Sequence, residues 1–167
     1  MFLATSVDGY IARADGSLDW LDSVQGPDYG FAAFYASIDT LVMGRATYET
    51  ALGFGEWPYA GKRVVVLTHR ALAPRSDVAF ASGAPAEILA RLGEARRVYV
   101  DGGDVIRQFL AAGLIDDLTL SIVPMVLGGG IRLFAGGEGE QALVLDSSQA
   151  WPTGLVQLRY RIAAAAK

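Results

Sequence analysis

The sequence predicts a single α/β domain, residues 1–167, in which strands alternate with helices and an antiparallel hairpin closes the chain. Short β-forming runs lead into glycine and then into apolar residues at helical spacing, in M-G-R-A-T-Y at 43–48 and again in V-Y-V-D-G-G-D-V-I at 98–106. Hydrophobic residues make up 52% and charged residues 19% of the chain. That balance suits a sheet covered on both faces, with apolar surface left for a contact between subunits, so a homodimer is expected. Near the end, A-L-V-L-D and L-V-Q-L-R-Y-R-I alternate with period two around W-P-T-G, the pattern of a hairpin.

Composition narrows the chemistry. There is no cysteine and one histidine, which leaves no material for disulfides, thiolate metal sites or a zinc centre, so no metal is expected. A formal net charge of −4 argues against nucleic acid or an anionic membrane as partner, and a small molecule is the expected ligand. No apolar run reaches the length of a membrane span, and Met1-Phe2-Leu3 passes directly to Thr5, Ser6 and Asp8. A cytoplasmic protein without a signal peptide is expected.

The elements follow in order. F-L-A-T-S-V reads as a first strand that breaks at Asp8-Gly9, and Tyr10, Ile11 and Ala12 resume an apolar segment before a turn at Asp15-Gly16. Residues 18–26 read as loop with Trp20 and Leu21 turned inward. Pro27 marks a helix start, with Phe31, Phe34, Tyr35 and Ile38 at helical spacing. Asp28 then falls in the first turn, either as a partner of the helix dipole or as a catalytic acid. T-L-V-M is a short buried strand, followed by Gly44-Arg45 and a helix from about Thr47; Arg45 and Thr47 together suit a phosphate.

The strand K-R-V-V-V-L-T ends at Thr68-His69-Arg70, where open α/β sheets gather ligands. His69 reads either as a general base or as a loop residue beside a ligand; no acidic residue close in sequence orients it, which favours the second. Asp77–Ala81 is a further strand and Ala84–Leu92 a helix. In the unit that follows, Gly102 and Gly103 sit between strand and helix. They are either a tight connection or a turn where phosphate meets bare backbone and a helix N-terminus, and this stretch alone leaves both open. Gly113 caps that helix, and Asp116-Asp117 opens a long apolar strand interrupted by Pro124. Gly128-Gly129-Gly130 reads as a mobile turn and not a phosphate loop, because no helical pattern follows.

Five segments, S-V-D-G-Y-I-A at 6–12, V-M-G-R-A-T-Y-E at 42–49, V-V-L-T-H-R at 65–70, V-D-G-G-D-V-I at 100–106 and D-D-L-T-L-S-I-V-P-M-V-L-G-G-G-I-R-L-F at 116–134, carry a resemblance in this order. The chain resembles the dihydrofolate-reductase-like superfamily. More narrowly it is similar to the C-terminal reductase domain of the riboflavin-biosynthesis deaminase/reductase and its stand-alone relatives. The resemblance implies a three-layer sandwich with a mixed, mostly parallel central sheet flanked by helices, and an NADPH-dependent reductase.

Carried across by that resemblance, Gly44, Arg45 and Thr47 match the segment that binds cofactor phosphates. Leu67, Thr68, His69 and Arg70 match the segment lining the adenosine and its 2′-phosphate, where a cation favours NADP over NAD. Gly102 and Gly103, with Asp104, Val105 and Ile106 behind them, match the pyrophosphate and nicotinamide turn, which in the superfamily contains a cis peptide. Ala4 and Ile11 match positions beside the nicotinamide.

Asp28 stands fifteen residues before Met43, the offset of the acid that contacts the pterin in dihydrofolate reductases, and Ser121 takes the place of a nearby threonine. That carboxylate is expected half-buried against Trp20 and Phe31. Asp8, in the S-x-D-G motif of the riboflavin branch, is the competing acid. The nearest named reaction is reduction of 5-amino-6-(5-phosphoribosylamino)uracil. Lys62, Arg63 and Arg132 are the cations available to its phosphate. Dihydrofolate reduction and a non-catalytic NADP-binding module are the alternatives.

Overall fold

In the computed structural model of the chain, residues 1–163 are described; the rest of the tail 163–167, to which the sequence assigns no role, lies outside them. The elements run β1 (Phe2–Ser6), β2 (Tyr10–Ala12), a 3-10 helix (Asp19–Val24), α1 (Phe31–Ser37), β3 (Thr40–Gly44), α2 (Arg45–Leu52), β4 (Arg63–Leu67), β5 (Val78–Ala81), α3 (Pro85–Leu92), β6 (Val98–Asp101), α4 (Gly103–Ala111), β7 (Asp117–Val123), β8 (Ile131–Arg132), β9 (Leu143–Ala150) and β10 (Val156–Ile162). They fall into two compact units, one made of Met1–Phe31 with the chain from Ile115 onward, the other of Ala32–Leu114.

The second unit holds an all-parallel sheet in the order β5-β4-β3-β6. Its inner strands are apolar without alternation, as a sheet covered on both faces demands: Leu41, Val42 and Met43 of β3 and Val64, Val65 and Val66 of β4 are all buried. Helix α4 buries Val105, Ile106, Phe109 and Leu110, the stripe expected of an amphipathic helix. Tyr48 of α2 stacks edge-on against Phe80 of β5, and Phe34 of α1 does the same against Tyr99 of β6.

The first unit is mixed. β1 runs parallel to β7, and β7, β10 and β9 pair antiparallel in that order, so the expected terminal hairpin is present. β2 and β8 form a separate short ribbon. Trp20, Val24, Val123 and Leu155 make the core cluster of this unit. No helix among the described residues is long and apolar enough to cross a membrane.

Two boundaries differ from the sequence reading. Residues 19–24, expected as loop, form the 3-10 helix that carries Trp20 inward; its six residues are too short for a helical period to show. The helix expected from Pro27 begins at Phe31 instead. The intervening residues form a turn in which Tyr29 has φ 52°, a left-handed conformation that an α-helix cannot contain.

Candidate active site

In the second unit, register decides which residues meet. Met43 lies opposite Asp101 and Gly44 opposite Leu67, so β3, β4 and β6 deliver Gly44, Thr68 and Gly102 to one edge of the parallel sheet. Two helices start there, α2 at Arg45 and α4 at Gly103, and their N-caps are Gly44 and Gly102. Neither cap has a side chain, so the first-turn N–H groups of both helices face outward without a capping acceptor. This is the arrangement that receives anions.

Gly102 is held at φ 87°, ψ 132°. A Cβ there would run into the Thr47 hydroxyl, so Thr47 of α2 packs directly against the bare backbone of the turn. The expected cis peptide is absent: among the described residues every peptide bond is trans. The chain reverses through the positive φ of Gly102 instead, which a residue without Cβ adopts without a cis bond.

The other residues of this edge divide by burial. Arg45 Nη1 donates to both carboxylate oxygens of Glu49 at 2.7 Å. Thr68 Oγ1 accepts from the Arg70 N–H at 3.0 Å, a local turn that leaves His69 and Arg70 exposed. Asp104 is exposed and bonded to Arg107. Val105 and Ile106 are buried, and Val105 Cγ2 lies 3.2 Å from where a Gly44 Cβ would stand. Their side chains therefore serve the core, and only their backbone is available to a ligand.

Lys62 and Arg63, proposed for a substrate phosphate, are committed elsewhere. Lys62 Nζ donates to the Ile38 carbonyl at 2.6 Å, and Arg63 Nη1 to the Leu92 carbonyl at 2.7 Å. Both sit at the start of β4, the end opposite Leu67.

Asp101 is the residue here that sequence reasoning passed over. Its Oδ1 accepts the Gly102 N–H at 2.8 Å and its Oδ2 the Tyr59 hydroxyl at 3.4 Å. Burial pushes its carboxyl above the usual range, against the pull of Gly102, Tyr99 and Tyr59. The signal was present in V-D-G-G, where an acid directly precedes a glycine turn.

The first unit contains a pocket of about 320 Å³, within the range of small-ligand sites. It is lined by Phe2, Leu3, Ala4, Leu21, Val24, Asp28, Tyr29, Phe31, Ser121, Val123 and Leu155. Of the sequence candidates, the structure brings Ala4, Asp28, Phe31 and Ser121 to this cavity. Trp20 lies behind it in the core, and Ile11 is half-buried on β2 outside the lining. Asp28 is exposed, not half-buried, because it stands three residues before α1; its Oδ1 accepts the Gly30 N–H at 3.1 Å.

Ser121 is buried, and Gln157 Nε2 donates to its Oγ at 3.1 Å and to the Tyr29 carbonyl at 3.0 Å. With Gln157 supplying that proton, the Ser121 hydroxyl has its own hydrogen left to donate. Gln157 was not found from sequence: it is one polar residue in an alternating strand, and only its register opposite Ser121 gives it a role.

Asp8 is built into the loop that follows β7. It accepts from Ser6 Oγ at 2.6 Å, from Leu127 N at 3.0 Å and from Gly128 N at 2.8 Å. Chiefly through the Ser6 hydroxyl, these bonds hold its carboxyl down at about 2. Arg132, on β8, stacks over the Tyr10 ring at 4.6 Å and donates to the Tyr10 hydroxyl at 3.1 Å.

Parallel strands ending in two glycine-capped helices, with a mixed sheet that closes in an antiparallel pair, define a dihydrofolate-reductase-like α/β fold. Comparison with solved structures agrees. A candidate riboflavin biosynthesis protein from Shewanella sp. PV-4 superposes with a TM-score of 0.91 at 38% identity, over 98% of this chain and 97% of the other. A dihydrofolate reductase from Enterococcus faecalis, solved with NADP(H) and RAB-propyl, shares the fold at a TM-score of 0.69 and 19% identity, over 98% and 95%. The chain belongs to the RibD C-terminal domain family, whose sequence profile matches residues 1–157. Bacillus subtilis YwjB, an uncharacterized protein, is 33% identical over 166 residues, 96% of this chain and 95% of its own.

Proposed function

We propose that the protein is an NADPH-dependent reductase acting on a pyrimidine-like or pterin-like substrate, with reduction of 5-amino-6-(5-phosphoribosylamino)uracil as the nearest named reaction. The observation that carries this reading is the edge where Gly44 and Gly102 cap two helices without side chains and Thr47 closes against the turn. A dinucleotide's phosphates fit such an edge, and the exposed Arg70 suits a 2′-phosphate. When bound, the nicotinamide supplies a hydride. Family membership and the NADP(H) complex of the Enterococcus reductase support this choice of cofactor.

On the substrate side, Asp28 is the acid we assign to the reaction. It lines the pocket, whereas the Asp8 carboxylate already accepts three hydrogen bonds and its low pKa leaves it without a proton to give near neutrality. Asp28 accepts from a donor edge of the substrate while the Ser121 hydroxyl donates, a two-point contact that suits an amino-pyrimidine ring. That same pair favours a second reading, dihydrofolate reduction.

The test begins with NADPH titration followed by fluorescence; absence of saturable binding removes the reductase reading. Where NADPH binds, its oxidation is followed with the phosphoribosylamino-pyrimidine and with dihydrofolate at matched concentrations. Turnover of the first supports the leading reading, and turnover of dihydrofolate alone supports the second.

A further inference from the structure

The pocket of the first unit leaves few polar atoms to a ligand. Its wall is mostly aliphatic and aromatic, and the polar side chains in it are Asp28, Tyr29 and Ser121. The Tyr29 hydroxyl is committed: it donates to the Val24 carbonyl at 2.6 Å and pairs with Thr153 Oγ1 at 3.0 Å. Asp28 and Ser121 are therefore the side chains left to fix a ligand's orientation, the few placed groups that give an apolar pocket its selectivity. A hydroxyl can donate or accept. Which of the two Ser121 does depends on its neighbours.

Residues paired across neighbouring strands point to the same face. On the pocket side of β7, Ser121 has Ala4 of β1 on one flank and Gln157 of β10 on the other. Ala4 offers no polar side-chain atom, so in this row Gln157 is the neighbour that sets the hydroxyl's direction. Ser121 and Gln157 are 4% and 3% exposed, so little water reaches the bond between them. Gln157 Nε2 carries two hydrogens. One goes to Ser121 Oγ at 3.1 Å and the other to the Tyr29 carbonyl at 3.0 Å. The second bond fixes the first. A carbonyl oxygen only accepts, so turning the amide over would set Gln157 Oε1 against it, oxygen to oxygen. Nε2 stays where it is, Ser121 Oγ accepts from it, and the serine's own hydrogen is left for the pocket.

We propose, resting on the reading of this pocket as the site of the substrate ring, that Gln157 determines its specificity: it holds the Ser121 hydroxyl as a donor, so the position facing that hydroxyl admits a ring carbonyl and disfavours a ring amino group. Gln157 is outside the pocket wall and is a positioning residue that acts through Ser121. The recognition is divided chemically. Asp28 takes a donor edge, such as a ring N–H beside an amino group, and Ser121 takes an acceptor. An amino group brought to Ser121 would meet hydrogen with hydrogen, and the buried hydroxyl would lose its acceptor. A carboxyl at position 157 reverses the assignment in either protonation state. Ionised, it can only accept, so Ser121 must donate to it. Protonated, its single hydrogen goes to the Tyr29 carbonyl, which can bond in no other way, and the carboxyl again accepts from Ser121. In both cases the Ser121 lone pairs, not its hydrogen, face the ligand.

The experiment is a nuclear magnetic resonance titration of the full chain with two probes, 2-aminopyrimidin-4-one and 2,4-diaminopyrimidine, which share the 2-amino group and exchange a ring carbonyl for an amino group. Asp28 is common to every variant compared, so its own preference cancels, and the quantity read is the change in the ratio of the two dissociation constants. Gln157→Glu should move that ratio toward the diamino probe by about tenfold or more. Gln157→Met, which leaves the hydroxyl free to turn either way, should move it in the same direction by about threefold to fivefold. In a Ser121→Ala background Gln157→Glu should move it by less than about twofold, because the hydroxyl through which Gln157 acts is gone. The same control absorbs any attraction of the new carboxylate for the more basic probe. An unchanged ratio in both Gln157 variants while the probes still bind, or an equal shift with and without the Ser121 hydroxyl, overturns the role of Gln157 and leaves the ring site standing. Failure of the wild type to bind either probe overturns the ring site and this role with it. Should Gln157→Glu misfold, Gln157→Met decides.

Discussion

Replacing Gly102 by alanine tests the turn on which the cofactor reading rests. Two separate penalties arise. The first is conformational, because φ 87° with ψ 132° is a region that residues with a Cβ occupy at a cost of about 1–3 kcal/mol. The second is steric. The new methyl meets the Thr47 hydroxyl, whereas Thr47 Cβ lies at an ordinary 3.4 Å. Truncating Thr47 to alanine therefore removes the obstacle and leaves the strain. Urea denaturation at 25 °C should show Gly102→Ala destabilised by about 2–4 kcal/mol, a fall in Tm of several degrees for a chain of this size. In a Thr47→Ala background the same change should cost about 1 kcal/mol less, the coupling expected of side chains in contact. NADPH affinity should fall at least tenfold in the single variant. Gly102→Ala within 0.5 kcal/mol of wild type, or an identical cost in both backgrounds, would refute the packing of Thr47 against this turn. Gly130→Ala provides the comparison, because there the methyl meets the Ala12 backbone carbonyl at φ 139°. A backbone atom cannot rotate away, so this variant should be the more damaged of the two.

Other outcomes follow from the same geometry. Arg70→Ala should weaken NADPH about tenfold, the order of one charge-assisted hydrogen bond, and NADH less than twofold; equal losses in a titration with both would remove the 2′-phosphate role. Asp28→Asn should lower kcat about 100-fold, the scale of one general acid, with NADPH binding intact, and an unchanged kcat would return the choice to Asp8. For Asp8 the sign is fixed by its depressed pKa, about 2 against an ordinary 3.8. Its contribution to stability is present above pH 4 and lost as pH falls through 2. Urea midpoints of wild type and Asp8→Asn should therefore differ at pH 6 and converge by pH 2, and a gap that widened in acid would contradict the clasp on Leu127 and Gly128.

What was legible in the sequence was whatever depends on local chemistry. Strand, glycine and helix follow one another in the chain at Gly44 and at Gly102, so a reader of residues alone could find both caps. The apolar runs of β3 and β4 likewise declare a buried parallel sheet. The start of α1 was illegible for a specific reason: Pro27 and Asp28 form a good helix-opening signal, and nothing local reveals that Tyr29 adopts φ 52°. Its hydroxyl donates to the Val24 carbonyl at 2.6 Å and pairs with Thr153 Oγ1 at 3.0 Å. These distant bonds overrule the local preference. The same holds for the cofactor segment 104–106, where sequence assigns neighbours alike but burial separates Asp104 from Val105 and Ile106.

The two acids show why that distinction matters for function. Sequence leaves Asp8 and Asp28 as competing carboxylates, Asp8 in the more recognisable motif of the riboflavin branch and Asp28 at the offset of the dihydrofolate-reductase acid. A carboxylate can give a proton to a reacting molecule only when its oxygens are not already occupied and its pKa is not far below the working pH. Three donors converge on Asp8, one from Ser6 two residues away and two from the backbone more than a hundred residues further along. It thereby ties β1 to the loop beyond β7. Asp28 Oδ1 accepts the Gly30 N–H of its own turn at 3.1 Å, and the residue stands in the lining of the pocket, where a bound substrate would meet it. Pairing it with Ser121 across the pocket adds the constraint that a substrate must present a donor to one and an acceptor to the other. A substrate lacking either should bind more weakly by the cost of the unmet group, about 1–3 kcal/mol, which a series of pyrimidines differing by one ring amino or oxo group would measure as a spread in KM of about 5- to 150-fold.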